Sequence, residues 1–135
     1  MDQKSSEKYK IGRGCVYNVN YHLVWTPKRR SKVLVGNIES DLKQIIEKCC
    51  EEIGVEIMTM EVMPDHVHLF VSCHPKIAPH SIVKKIKGVS SNILRKEYPQ
   101  LRKIPCLWSS SYYCGTVGFA SESVVKSYIE NQKGK

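Results

Sequence analysis

The spacing of apolar residues switches repeatedly between two and three-to-four along this chain, which limits the fold to a sheet interleaved with helices. Residues 17–25, Tyr-Asn-Val-Asn-Tyr-His-Leu-Val-Trp, place Tyr17, Val19, Tyr21, Leu23 and Trp25 on one side of a strand rich in aromatic and β-branched types. Thr26-Pro27 breaks the alternation. Ile38, Leu42, Ile45, Cys49 and Ile53 then recur at helical spacing, predicting a helix over about 38–53 stopped by Gly54. Residues 55–62 read as a second strand, Met63-Pro64-Asp65 as a turn, and 66–72 as a third strand in a hairpin with it. Ile82, Ile86, Val89 and Ile93 predict a second helix to about Tyr98, ahead of Pro99. Tyr112 to Val117 reads as a fourth strand, and Ser121-Glu122-Ser123 opens a last helix.

This order is a β-α-β-β-α-β core followed by a C-terminal helix, an α+β arrangement of the ferredoxin-like type. In it two helices cover one face of an antiparallel sheet and the other face is free for a ligand. The 135 residues suffice for one domain, 1–135, with residues 1–14 read as a flexible lead-in. Apolar residues make up 41% of the chain, enough for a packed core, yet no stretch approaches the roughly 18 uncharged apolar residues of a spanning helix. The opening Met-Asp-Gln-Lys-Ser-Ser-Glu-Lys has no apolar signal region, so a cytoplasmic protein with no membrane partner is expected. Six cysteines without a Cys-x-x-Cys pair then read as reduced thiols, with Cys49 and Cys50 inside the helical apolar pattern.

The formal net charge is +8, and Lys84, Lys85, Lys87, Arg95, Lys96, Arg102 and Lys103 stand against the single acid Glu97. Such a field attracts a polyanion, and Lys84, Lys85, Lys87, Arg95 and Lys96 on the second helix are the candidate nucleic-acid contacts; the alternative is a solvated helix face. On the third strand His66 and His68 project from one face, so both imidazoles can reach one divalent ion, although two histidines leave it unsaturated. On the last helix Tyr128 and Gln132 are four apart and share a face. They can address the same ion or substrate, or else Tyr128 covers the core edge while Gln132 is solvated. Asp65 reads either as a turn residue or as a carboxylate that orients His66.

Pro64-Asp65-His66-Val67-His68-Leu69-Phe70-Val71 resembles the histidine-hydrophobe-histidine motif of the HUH nucleases, and Val125-Lys126-Ser127-Tyr128-Ile129-Glu130-Asn131-Gln132 their single-tyrosine motif. Together they resemble the small single-tyrosine transposases (TnpA type) of bacterial and archaeal insertion sequences. Tyr21-His22-Leu23-Val24-Trp25-Thr26-Pro27-Lys28 and Leu107-Trp108-Ser109-Ser110-Ser111-Tyr112-Tyr113 support the match, which spans about residues 15–132. The resemblance implies that Tyr128 is the nucleophile and that His66, His68 and Gln132 hold a divalent metal ion, Mg2+ or Mn2+. It also implies cleavage and rejoining of single-stranded DNA with hairpins at the element ends, through a 5′-phosphotyrosine. The working form would be a homodimer in which one subunit's tyrosine helix serves the other's histidines. Gly115 and Gly118 ahead of that helix read either as a hinge for such an exchange or as relief of crowding. Two other classes fit the sequence less well. A nucleotide or cyclic-phosphate hydrolase would need a third alternating histidine, where position 70 is Phe, or a second copy of a His-x-Thr or His-x-Ser pattern; a non-catalytic single-strand binder would leave the coincidence of Tyr128 with His66 and His68 unexplained.

Overall fold

The computed structural model describes residues 10–12, 14–116 and 122–132. A short ribbon comes first: β1 (Lys10–Gly12) pairs antiparallel with β2 (Cys15–Tyr17), where the sequence predicts a flexible lead-in up to residue 14. Then follow β3 (Asn20–Trp25), α1 (Gly36–Ile53), β4 (Glu56–Met63), β5 (His66–Ser72), α2 (Pro79–Glu97), β6 (Tyr113–Thr116) and α3 (Glu122–Asn131). Predicted as continuous over 17–25, the first strand is interrupted at Asn18 and Val19. There the Asn20 amide donates to the Asn18 side chain and the Val19 carbonyl accepts from the Cys73 amide, so local polar bonds divert the chain between ribbon and sheet.

The main sheet has the order β4-β5-β3-β6 with every neighbour antiparallel. Counted within the core this is the second, third, first and fourth strand, the ferredoxin-like order expected from the sequence. Pro64-Asp65 forms a tight turn that sets Met63 opposite His66 and so fixes which β5 residues face which side. Leu23, Trp25, Val67, Leu69 and Val71 point to one face and are wholly buried. Ile38, Leu42 and Ile46 of α1 and Ile82, Val83 and Ile86 of α2 join them in a single core, each large side chain contributing about 1.5–3 kcal/mol by leaving water. Cys49 and Cys50 are part of that core, and burial raises the Cys50 thiol to about 12. Gly54 ends α1 in the left-handed region, φ 76°, and Pro79 opens α2 where its missing N–H costs nothing. Among the described residues no helix is long and apolar enough to cross a membrane.

Candidate functional site

Directly opposed residues of an antiparallel pair lie on the same face, so the register Val24↔His68, His22↔Phe70 and Val24↔Tyr113 gathers His22, His66, His68, Phe70 and Tyr113 on the side away from the helices. The His66 and His68 rings meet edge to face with centroids 5.0 Å apart. Each is held at Nδ1. His66 Nδ1 lies 2.8 Å from Asp65 Oδ1, and because a carboxylate only accepts, the proton sits on Nδ1 and the Nε2 lone pair is left for a ligand. His68 Nδ1 lies 3.0 Å from Nε2 of His22, a residue that the sequence reading quotes but gives no role. Burial keeps both His22 and His68 below the usual histidine pKa, and for His68 the neighbouring His66 and His22 push the same way. A neutral His68 suits a divalent ion, since a protonated ring has no lone pair to give.

Asp65 is therefore more than a turn residue. Its Oδ2 is 3.0 Å from Arg30 Nε, and Arg30 Nη1 also donates to the Ile129 carbonyl of α3 at 3.4 Å. Arg29 and Arg30 both occupy the left-handed region, φ 58° and 54°, which costs non-glycine residues of order 1–3 kcal/mol each. The strained turn aims Arg30 at both partners, linking the orienter of His66 to the helix that carries Tyr128.

Tyr128 and Gln132 are brought together on Ser111. Ser111 Oγ donates to Gln132 Oε1 at 3.1 Å and so accepts from the Tyr128 hydroxyl, also at 3.1 Å. Gln132 is buried, 5% exposed, rather than solvated. Burial raises the Tyr128 pKa, and hydrogen bonds to Ser111 and Ser109 offset this in part, so the hydroxyl is a neutral phenol near pH 7. The tyrosine ring lies 6.3 Å from Tyr113, which lies 6.2 Å from His22, so a continuous row of rings connects Tyr128 to the histidine pair. Among the described residues no hydrogen bond joins Gln132 to His66 or His68.

Ser111 owes its position to two segments that the sequence singled out separately. Pro27 bridges Trp108, the Ser109 amide donates to the Thr26 carbonyl at 3.0 Å, and the Lys28 amide donates to the Leu107 carbonyl at 2.8 Å. From α2, Ser90 accepts the Trp108 indole N–H at 3.0 Å, and Lys87 Nζ donates to the carbonyls of Ser109 and Ser111 at 2.8 and 2.9 Å. Gly115 belongs to the same packing, because a Cβ there would collide with the Tyr113 hydroxyl. Crowding against Tyr113 gives this glycine a packing role; Gly118 lies outside the described residues.

The basic residues of α2 divide into two groups. Lys84, Arg95 and Lys96, with Arg102, line two adjoining open concavities of about 460 Å³ each that meet at Gly88 and Ser91. Lys85 is instead 3.1 Å from Glu52 of α1. Lys87, expected to face nucleic acid, lines the same concavity as Lys84 but its Nζ is engaged by two carbonyls, and burial lowers its pKa to about 8. A count of positive charges does not register which way a lysine points.

The sequence model of the family described as "Transposase IS200 like" matches residues 15–132. The chain belongs to that family. It is 43% identical over 129 residues to the ISDra2 transposase TnpA of Deinococcus radiodurans, covering 93% of this chain and 92% of the relative. With the IS200 transposase of Salmonella typhimurium it shares 30% identity over 119 residues, 86% and 78% of the two chains. A transposase crystal structure from Deinococcus radiodurans R1 superimposes with a TM-score of 0.86 at 38% identity, over 93% of this chain and 99% of that one. A REP-associated tyrosine transposase bound to a REP hairpin shares the fold, with a TM-score of 0.54 at 15% identity, over 90% of this chain and 68% of that one. An IS200-like transposase acts in DNA transposition, and in this one the open sheet face with Tyr128 at its margin gathers the candidate site residues.

Proposed function

We propose that this IS200-like transposase cuts and rejoins single-stranded DNA at the ends of its insertion element, with Tyr128 as nucleophile. The reading rests on one juxtaposition: a half-buried tyrosine and a buried glutamine sharing Ser111, joined by a row of rings to two histidines on the same open face. The Tyr128 oxygen attacks the phosphorus as its proton passes to solvent, the bond from phosphorus to the 3′ oxygen breaks, and the 3′ oxygen leaves as a hydroxyl after taking up a proton from solvent. The 5′ side then remains as a phosphotyrosine, whose bond energy is available to the 3′ hydroxyl of another DNA end. His66 and His68 through Nε2, with Gln132, would hold a Mg2+ or Mn2+ ion, which when bound offsets phosphate charge and polarises phosphorus. Ser111 accepts the tyrosine hydroxyl's hydrogen bond, and Arg30 joins Asp65 to the Ile129 carbonyl of α3.

Incubating the protein with end-labelled single-stranded DNA and Mn2+ tests the reaction. A denaturation-resistant protein-DNA adduct is expected; free nucleotides or purely reversible binding would contradict it. The hairpin bound by the REP-associated relative supports DNA with a hairpin as the partner. Strand transfer between two ends also calls for two nucleophiles held together, hence a homodimer.

Along α2 the groove of Lys84, Arg95, Lys96 and Arg102 runs up to Ser109 and Ser110, next to the serine that holds Tyr128, and is the proposed backbone path. Neutralising Lys84, Arg95 and Lys96 together is expected to weaken binding to many sequences alike and to lower the slope of log affinity against log salt by about 2–3, at roughly 0.7–0.9 per lost phosphate contact. Lys87→Met is expected to leave that slope unchanged while loosening the Ser109–Ser111 segment and slowing cleavage. Affinity titrations at several salt concentrations distinguish the two.

A further inference from the structure

We propose that His22 is the positioning residue for His68, accepting the His68 Nδ1 proton at its own Nε2 and so turning the His68 Nε2 lone pair toward the ion site. The inference rests on the reading of His66 and His68 as ion ligands. The two nitrogens are 3.0 Å apart and the rings are tilted by only 28° with centroids at 5.1 Å, so a single proton is shared along one edge. Which ring owns it decides what His68 can do. With the proton on His68 Nδ1, Nε2 is a bare donor to a cation. With the proton on His22 Nε2, His68 must carry its own on Nε2, and no lone pair faces the site.

Several features of the sheet confine His22 to this role. It stands diagonally across from His68 in the β3–β5 ladder and opposite Gly115 in β6, where the missing side chain leaves room filled by Tyr113. The Tyr113 ring meets His22 edge-on at 82°, pinning the imidazole between tyrosine and His68. The remaining groups facing His68 are His66 and the cross-strand Glu61. His66 and His68 thus have unlike orienters. Asp65 is a carboxylate already compensated by Arg30, whereas His22 orients His68 without adding charge. An ion held between them keeps most of its positive charge for a phosphate.

Long-range 15N–1H spectra of the metal-free protein, together with Mn2+ titrations, test the assignment. Wild type is expected to show a protonated Nδ1 and an unprotonated Nε2 on His68. His22→Leu should shift the proton toward Nε2 and weaken Mn2+ binding by about 10- to 100-fold. His22→Gln supplies an amide oxygen near the same position and should restore the tautomer and most of the affinity. A metal-free wild type with its proton on His68 Nε2, or a His22→Leu protein that binds Mn2+ as tightly as wild type, would overturn the proposal. Should wild type bind no ion that His66→Ala abolishes, the ion-site reading fails, and the metal-free spectra still decide whether His22 sets the tautomer.

Discussion

Tyr128→Phe is expected to abolish the denaturation-resistant adduct with single-stranded DNA, by at least about 10³-fold in rate, while binding stays within a few-fold of wild type. The substitution removes one oxygen and leaves the ring, so its packing 6.3 Å from Tyr113 survives. The hydrogen bond to Ser111 is lost at a cost of about 1 kcal/mol, but Ser111 still donates to Gln132 and Arg30 still reaches the Ile129 carbonyl, so α3 keeps two of its polar anchors. An adduct that persists in the Phe variant would assign the nucleophile elsewhere. The same oxygen predicts a pH dependence in the wild type. Burial raises the Tyr128 pKa above the ordinary phenol value, and even an unperturbed phenol is only about 0.1% ionised at pH 7. Where attack by phenolate limits the rate, cleavage should climb with pH from neutrality upward, and a flat profile would mean that another step limits.

Periodicity is a guide to β3, β5, α1 and α2 because each buries one face, and burial is what apolar spacing records; the exposed β1–β2 ribbon leaves no such record. His66 and His68 were legible for the same reason: a strand with Val67 and Leu69 inward must turn its histidines outward. His22 obeys the identical rule between Tyr21 and Leu23, but its partnership with His68 depends on the β3–β5 register, which is a non-local property. Lys87 illustrates the opposite failure. Its position on the polar side of a basic helix predicts solvent exposure, yet the carbonyls of Ser109 and Ser111 arrive from a segment more than twenty residues away and claim it. Arg30 gave no signal at all. Its use depends on a left-handed backbone at a non-glycine residue, which tertiary contacts impose against local preference.

His66→Ala, His68→Ala and chelation are each expected to lower cleavage by about 10³-fold or more, since several kcal/mol of charge stabilisation at the phosphate would be lost, with little change in thermal stability. Stability is spared because the core residues of β5 are Val67, Leu69 and Val71, on the other face. Undiminished cleavage in excess chelator would remove the ion from the mechanism. The same His66→Ala chain reports where the tyrosine helix acts. Here α3 lies against its own sheet, held by Ser111 to Tyr128 and Gln132 and by Arg30 to Ile129. A second copy offers the identical partners, so exchanging helices within a dimer replaces every one of these bonds by its equivalent and costs no contact energy. Co-expression of the Tyr128→Phe and His66→Ala chains is therefore expected to restore cleavage, because one of the two mixed sites pairs an intact tyrosine with an intact histidine pair. If the helix instead stays on its own chain in the dimer, each subunit keeps its own defect and the mixture remains as inactive as either parent.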